Sequence, residues 1–82
     1  QVVDVRNPGE VAEGEIGDAV EIPVGQLPGR VGELDVTKPT VVYCAGGYRS
    51  SVAASLLRQK GFLDVSDIIG GYGAYTETVQ NA

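Results

Sequence analysis

The stretch that most constrains this chain is Val41-Val42-Tyr43-Cys44-Ala45-Gly46-Gly47-Tyr48-Arg49-Ser50-Ser51. A β-prone run stops at the only cysteine. Two glycines, an aromatic and an arginine follow, and Ser51-Val52-Ala53-Ala54-Ser55-Leu56-Leu57 reads as the first turns of a helix. A strand that ends at a potential nucleophile and a tight loop that opens into a helix N-terminus together make a place to hold an anion. The helix start presents unpaired N–H groups and the positive end of its dipole. Glycines let the loop backbone take φ > 0 and approach the sulfur closely, and the same field favours the thiolate, the reactive form of cysteine. Cys44 is therefore the candidate nucleophile, and Ala45, Gly46, Gly47, Tyr48, Arg49 and Ser50 are the candidate binding loop. A cation at the positive end of a helix dipole is unfavourable by itself. Arg49 makes sense there beside a thiolate or an incoming oxyanion.

Each of these residues also has a plainer reading. A lone cysteine can be a small buried hydrophobe, Arg49 a solvated helix-start residue, Gly46-Gly47 a simple turn and Tyr48 a packing aromatic. The combination at one strand end favours the reactive reading. Asp4 and Arg6 read as a structural ion pair near a sheet end. Gly70-Gly71-Tyr72-Gly73-Ala74-Tyr75 lacks the lysine and spacing of a phosphate-binding loop and reads as a turn with a packing aromatic.

Composition removes several alternatives. The 82 residues suit one small domain, with 43% apolar and 21% charged residues in the ordinary globular range. A net charge of −5 argues against a nucleic-acid or anionic-membrane partner. No apolar run approaches the roughly 20 residues that span a bilayer. The absence of histidine removes Cys-His catalysis and most zinc sites, so neither a metal nor a cofactor is expected. One cysteine excludes an internal disulfide framework and suits a reducing compartment, hence a cytoplasmic reading.

Along the chain, Val2 to Val5 reads as a strand. Asn7 can cap a short helix with Pro8 in its first position and Val11-Ala12-Glu13 as its body. Ala19 to Ile22 is a second strand. Val24 to Leu34 has apolar residues at helical spacing, interrupted by Pro28 and Gly29, and reads as one short or broken helix. Thr40 to Tyr43 is a strand, and the helix after Arg49 runs to about Lys60 with Val52, Ala53, Leu56 and Leu57 on one face and Gly61 as its stop. Asp64 to Ile69 is a strand and Tyr72 to Val79 a final helix. This alternation predicts an α/β domain, a small, mainly parallel sheet flanked by helices on both faces. Ligands in such sheets sit beyond the carboxyl ends of the strands, where Cys44 lies.

These residues resemble the rhodanese-like sulfurtransferase domain. Val3-Asp4-Val5-Arg6 is similar to that family's Asp-x-Arg strand, Glu10 stands where a glutamate commonly follows, and Gly14-Glu15-Ile16-Gly17-Asp18-Ala19 resembles its Gly-His-Ile-Pro-Gly-Ala segment. The active-site pattern Cys-x-x-Gly-x-Arg stands intact at Cys44, Gly47 and Arg49. Gly61-Phe62, Val65, Gly70-Gly71 and Tyr75 resemble the closing part of the domain. Glu15 replaces the usual histidine, the proline of that segment is missing, Tyr75 replaces a tryptophan, and Ala45 replaces a frequent basic residue, which leaves the pocket less positive. The family's opening strand and helix are absent, so residues 1–82 are expected to be a single domain lacking them or one excised from a longer chain.

The resemblance implies a sulfurtransferase that passes sulfane sulfur from thiosulfate or a persulfide to cyanide or a thiol through a Cys44 persulfide. Its partners would be those small molecules and a fused or associated redox domain. One alternative is a non-catalytic or sulfur-carrying module of a larger protein. Another is a phosphatase or arsenate reductase of related fold, whose loop places five residues between cysteine and arginine; here four residues separate Cys44 from Arg49.

Overall fold

The computed structural model describes residues 1–68 and 70–73. Four strands are present among them: β1 (Val2–Asp4), β2 (Val20–Glu21), β3 (Thr40–Tyr43) and β4 (Val65–Asp67). They form one sheet in the order β2-β1-β3-β4, and every pairing is parallel. The chain leaves β1 toward β2 on one side, then returns across β1 to reach β3 and β4 on the other. With the right-handed crossovers that parallel sheets take, this reversal puts the first connection on one face and the later ones on the opposite face. The gap between the carboxyl ends of β1 and β3 is thus the switch point at which open α/β sheets bind ligands. Cys44 directly follows β3 there.

Side-chain alternation divides the two faces. On one, Val3, Val5, Val42 and Val65 meet Leu27, Leu34, Ala53, Ala54, Leu57 and Phe62 in a single apolar core that also contains Cys44. Each large apolar side chain sealed there contributes on the order of 2 kcal/mol. On the other face Asp4 and Tyr43 sit opposite each other in register, both fully buried. Asp4 pairs with Arg6 at 2.7 Å, and the Arg6 guanidinium also donates to the Gly14 carbonyl at 2.6 Å. The Ile16 N–H donates to the Tyr43 hydroxyl at 2.9 Å. This layer fastens the 14–16 segment to the sheet without an apolar core. The Asp4 and Arg6 residues form the buried ion pair that the sequence suggests.

The helices follow local chemistry. α1 (Pro8–Val11) begins with Asn7 as N-cap and proline at its start, and the Glu10 carboxylate accepts from the Asn7 N–H at 3.1 Å. The 24–34 stretch is broken as expected: a 3₁₀ turn at Val24–Gln26, α2 (Leu27–Arg30) and a second 3₁₀ turn at Val31–Glu33. Its apolar stripe still faces inward, with Leu27 and Leu34 buried and Val24 and Val31 packed against the core.

α3 (Tyr48–Gln59) differs from expectation in two ways. It starts at Tyr48, since Gly47 at φ 105° is already its N-cap, so Arg49 lies in the first helical turn. Its buried face is Ser50, Ala53, Ala54 and Leu57, whereas Val52 is 49% exposed. The helix is rotated because Ser50 is drawn inward to Cys44. Its C-terminus closes as expected at Gly61, φ 98°, with the Phe62 N–H on the Leu57 carbonyl at 3.1 Å and the Gly61 N–H on the Arg58 carbonyl at 3.2 Å. β4 is shorter than the Asp64–Ile69 expectation, and Ile69 lies outside the described residues, as does the part of the expected Tyr72–Val79 helix that follows Gly73. Residues 71–73 are helical. Among the described residues, no helix is long and apolar enough to cross a membrane.

Leu57 joins α3 to both the sheet and Phe62. Leu57→Ala is expected to lower unfolding free energy by about 2–5 kcal/mol, as core leucine truncations do, read by urea denaturation. A loss below about 1 kcal/mol would contradict this placement of the core.

Candidate active site

The site is built from the end of β3, a glycine loop and the first turn of α3. The Gly47 N–H donates to Cys44 Sγ at 3.1 Å and the Ser50 N–H at 3.3 Å. The Ser50 hydroxyl is 3.6 Å from the sulfur and donates to the Gly47 carbonyl at 3.1 Å while the thiol is neutral; its proton can turn to the sulfur when Cys44 ionises. Gly47 can close the loop because its backbone is left-handed, a conformation unfavourable for residues with a Cβ. Ser50 is fully buried and Cys44 is 1% exposed, so the sulfur is enclosed by backbone and small side chains.

Two opposing effects set the thiol's acidity. Burial pushes it up. The Ser50 N–H and hydroxyl, joined by the N–H groups of Gly47 and Gly46, outweigh burial and hold the Cys44 thiol below its ordinary value. A structural buried thiol shows the first effect without the second.

The expected loop residues are gathered here but divide their roles. Gly46, Gly47 and Ser50 act on the sulfur. Ala45 is exposed, and its carbonyl accepts from the Gly73 N–H at 3.2 Å. Tyr48 is 82% exposed, so it is not a packing aromatic of the core. Arg49 forms a two-pronged pair with Glu10, at 2.7 and 2.8 Å. Glu10 raises the guanidinium pKa most, and the negative charge on Cys44 adds to this more weakly. Reciprocally, Arg49 first, then the Asn7 N–H, lowers the Glu10 carboxyl to about 2.

Sequence reasoning identified Glu10 by resemblance but did not place it in the site. The one local signal that bears on it is its position three residues after Asn7, the capping-box spacing, which fixes its place in α1 but not its pairing with Arg49. Glu15, at the usual histidine position, is exposed. Its carboxyl is raised by loss of hydration and by Glu21, Asp4 and Asp18. Tyr75 lies outside the described residues.

Because Cys44 is the only cysteine, alkylation reports on it alone. Ser50→Ala is expected to move the pH midpoint of iodoacetamide reactivity upward. At pH 6.5 the rate should fall about tenfold, equivalent to roughly 1.4 kcal/mol, near the lower end for hydrogen bonds to charged groups. An unmoved profile would show that the hydroxyl does not stabilise the thiolate.

Comparison with known proteins gives the chain's family. The family model of the rhodanese-like domain matches residues 1–78. A sulfurtransferase of Allochromatium vinosum is 38% identical over 90% of this chain and 69% of its own length. The thiosulfate sulfurtransferase GlpE of Shewanella oneidensis is 35% identical over 94% of this chain and 76% of its own. Among solved structures, reduced CoADR-RHD of Bacillus anthracis superposes with a TM-score of 0.90 at 34% identity, covering 98% of this chain and 14% of that one. The chain spans 69%, 57% and 76% of the length of the first three curated relatives it matches. With a matching family model over most of its length and the cysteine loop at the switch point of a parallel sheet, the chain belongs to the rhodanese-like domain family.

Proposed function

We propose that this domain moves sulfane sulfur from thiosulfate or a persulfide to a thiol or cyanide through a persulfide on Cys44. The observation that carries the reading is the convergence of the Gly47 and Ser50 N–H groups on one sulfur whose ionised form they favour. In the first half-reaction the Cys44 thiolate attacks the outer sulfur of thiosulfate. The new S–S bond forms as the donor's S–S bond breaks, and the electron pair leaves with sulfite. The terminal sulfur of the Cys44 persulfide is then anionic. Loop N–H groups and the α3 N-terminus supply preorganised donors for that charge. In the second half-reaction cyanide or a thiolate attacks the terminal sulfur, and the bonding pair returns to Cys44. Neither half-reaction needs a general acid, which fits a chain without histidine.

Substrate contacts are assigned to Ala45, Gly46, Gly47, Tyr48, Arg49 and Ser50, with Arg49 facing the donor anion. Its pairing with Glu10 and the neutral Ala45 limit the positive charge on offer, so small anionic donors should bind weakly. A fused or associated redox domain would then be the more effective source or acceptor of sulfur. CoADR-RHD, where this fold occupies 14% of the chain, supports that setting. A cytoplasmic setting would keep Cys44 reduced. The sulfur-carrier reading differs in rate: it predicts a loadable Cys44 with slow turnover unless a partner is added. The phosphatase reading needs a wider loop than four residues provide.

Thiocyanate formation from thiosulfate and cyanide tests the proposal. Cys44→Ala should abolish it. Glu10→Gln should free Arg49 and lower the KM for thiosulfate about two- to fivefold with little change in kcat, the scale of a partly exposed ion pair. Turnover of an aryl phosphate that is lost in Cys44→Ser would overturn the sulfurtransferase reading in favour of the phosphatase.

A further inference from the structure

The glycine turn after β4 lies against the backbone of the cysteine loop, and nothing in the chemistry above uses it. The Tyr72 N–H donates to the Cys44 carbonyl at 2.7 Å and the Gly73 N–H to the Ala45 carbonyl at 3.2 Å. The Gly71 N–H is itself tied to the Ile68 carbonyl, at the end of β4, at 2.9 Å. The approach is so close that a Cβ on Gly71 would collide with the Cys44 carbonyl oxygen and lie 2.7 Å from that of Ala45. Gly71 also has φ +63°, so only glycine meets both demands without strain.

These two bonds fix more than position. A trans peptide unit is planar, with its C=O and N–H pointing in opposite directions, and no peptide bond in the described chain is cis. Holding the Ala45 carbonyl against Gly73 therefore aims the Gly46 N–H away from Gly73. Holding the Cys44 carbonyl against Tyr72 does the same for the Ala45 N–H. The Gly46 N–H is one of the groups that favour the Cys44 thiolate.

The turn also has a rigid backing. The Tyr72 ring lies 4.3 Å from the Arg6 guanidinium and 6.2 Å from the Tyr43 ring. Arg6 is held by both Asp4 oxygens and by the Gly14 carbonyl. Gly14 in turn leaves no room for a Cβ beside the Tyr72 hydroxyl.

We propose that Gly71, Tyr72 and Gly73 are positioning residues for the sulfur site: by gripping the Cys44 and Ala45 carbonyls they fix the start of the loop and orient the Ala45–Gly46 peptide so that the Gly46 N–H serves the sulfur. The buried Asp4–Arg6 pair, through Tyr72, anchors that grip to the sheet. The proposal rests on Cys44 being the reactive thiol, but it is tested at the thiol itself.

The test is the pH profile of iodoacetamide alkylation of the full chain, with circular dichroism melts to confirm folding. Gly73→Pro removes the N–H that holds Ala45, at a first-turn helical position that proline tolerates. Gly73→Ala keeps it, and its Cβ would sit 3.5 Å from the Ala45 oxygen, an ordinary contact. Gly73→Pro should shift the midpoint upward and slow alkylation at pH 6.5 about three- to tenfold, with the high-pH plateau unchanged. Gly73→Ala should match the parent protein. Gly71→Ala should shift the midpoint in the same direction as Gly73→Pro. If it fails to fold, the Gly73 pair decides. Folded Gly73→Pro with the parent midpoint, or equal shifts in both Gly73 variants, would overturn the proposal. Because the readout is thiol ionisation, failure of the parent protein to take up sulfur would refute the sulfur-transfer reading and leave this result standing.

Discussion

The structure depends on making charge tolerable on a buried sulfur. Removing a thiolate from water is costly, and burial alone would leave Cys44 protonated and inert. Here the cost is offset by backbone N–H groups, whose directions are set by the fold and do not have to reorganise when charge appears. That requirement explains the local sequence. Gly47 must turn left-handed to bring its own N–H within 3.1 Å of the sulfur. Ser50 must lie inside the first turn of α3, so the helix rotates Ser50 inward and leaves Val52 half exposed. The apolar face of α3 was placed by the sulfur site as well as by the core.

The sheet holds this loop from two sides. On one face Val3, Val5, Val42 and Leu57 make an ordinary apolar core around the cysteine. On the other, Asp4, Arg6, Tyr43 and Tyr72 form a polar and aromatic layer. Its ion pair is fully satisfied, which matters because a lone charge there would be strongly destabilising. Asp4 is subject to both effects: burial raises its carboxyl pKa, but Arg6 and, after it, Tyr43 together more than compensate and the net shift is downward. Its contribution to stability is therefore present above the unfolded carboxylate pKa, about 4, and is lost as pH falls through the lower folded value. Glu10, held at about 2, follows the same sign, so the tether between α1 and Arg49 persists well into acid.

Much of this was legible in the sequence because its causes are local. The run Thr40 to Tyr43, the glycines after Cys44 and the stop at Gly61 each carry their physical reason within a few residues, and each took the expected form. The parallel sheet followed from the alternation of those segments. What was not legible is what the topology brings together from afar. Glu10 and Arg49 are 39 positions apart, and no periodicity links them. The Gly70-Gly71 turn read as punctuation, since its role appears only once β4 is laid beside β3 and the turn meets the Cys44 carbonyl. The rotation of α3 was missed for the same reason: hydropathy ranks Val52 above Ser50, and only the sulfur reverses that order.

The most direct test of the account is the intact mass of the reduced protein after incubation with thiosulfate, beside Cys44→Ala. The account predicts a gain of one sulfur on the parent protein alone, removed by cyanide. A parent protein that gains no sulfur from thiosulfate or from glutathione persulfide would contradict it.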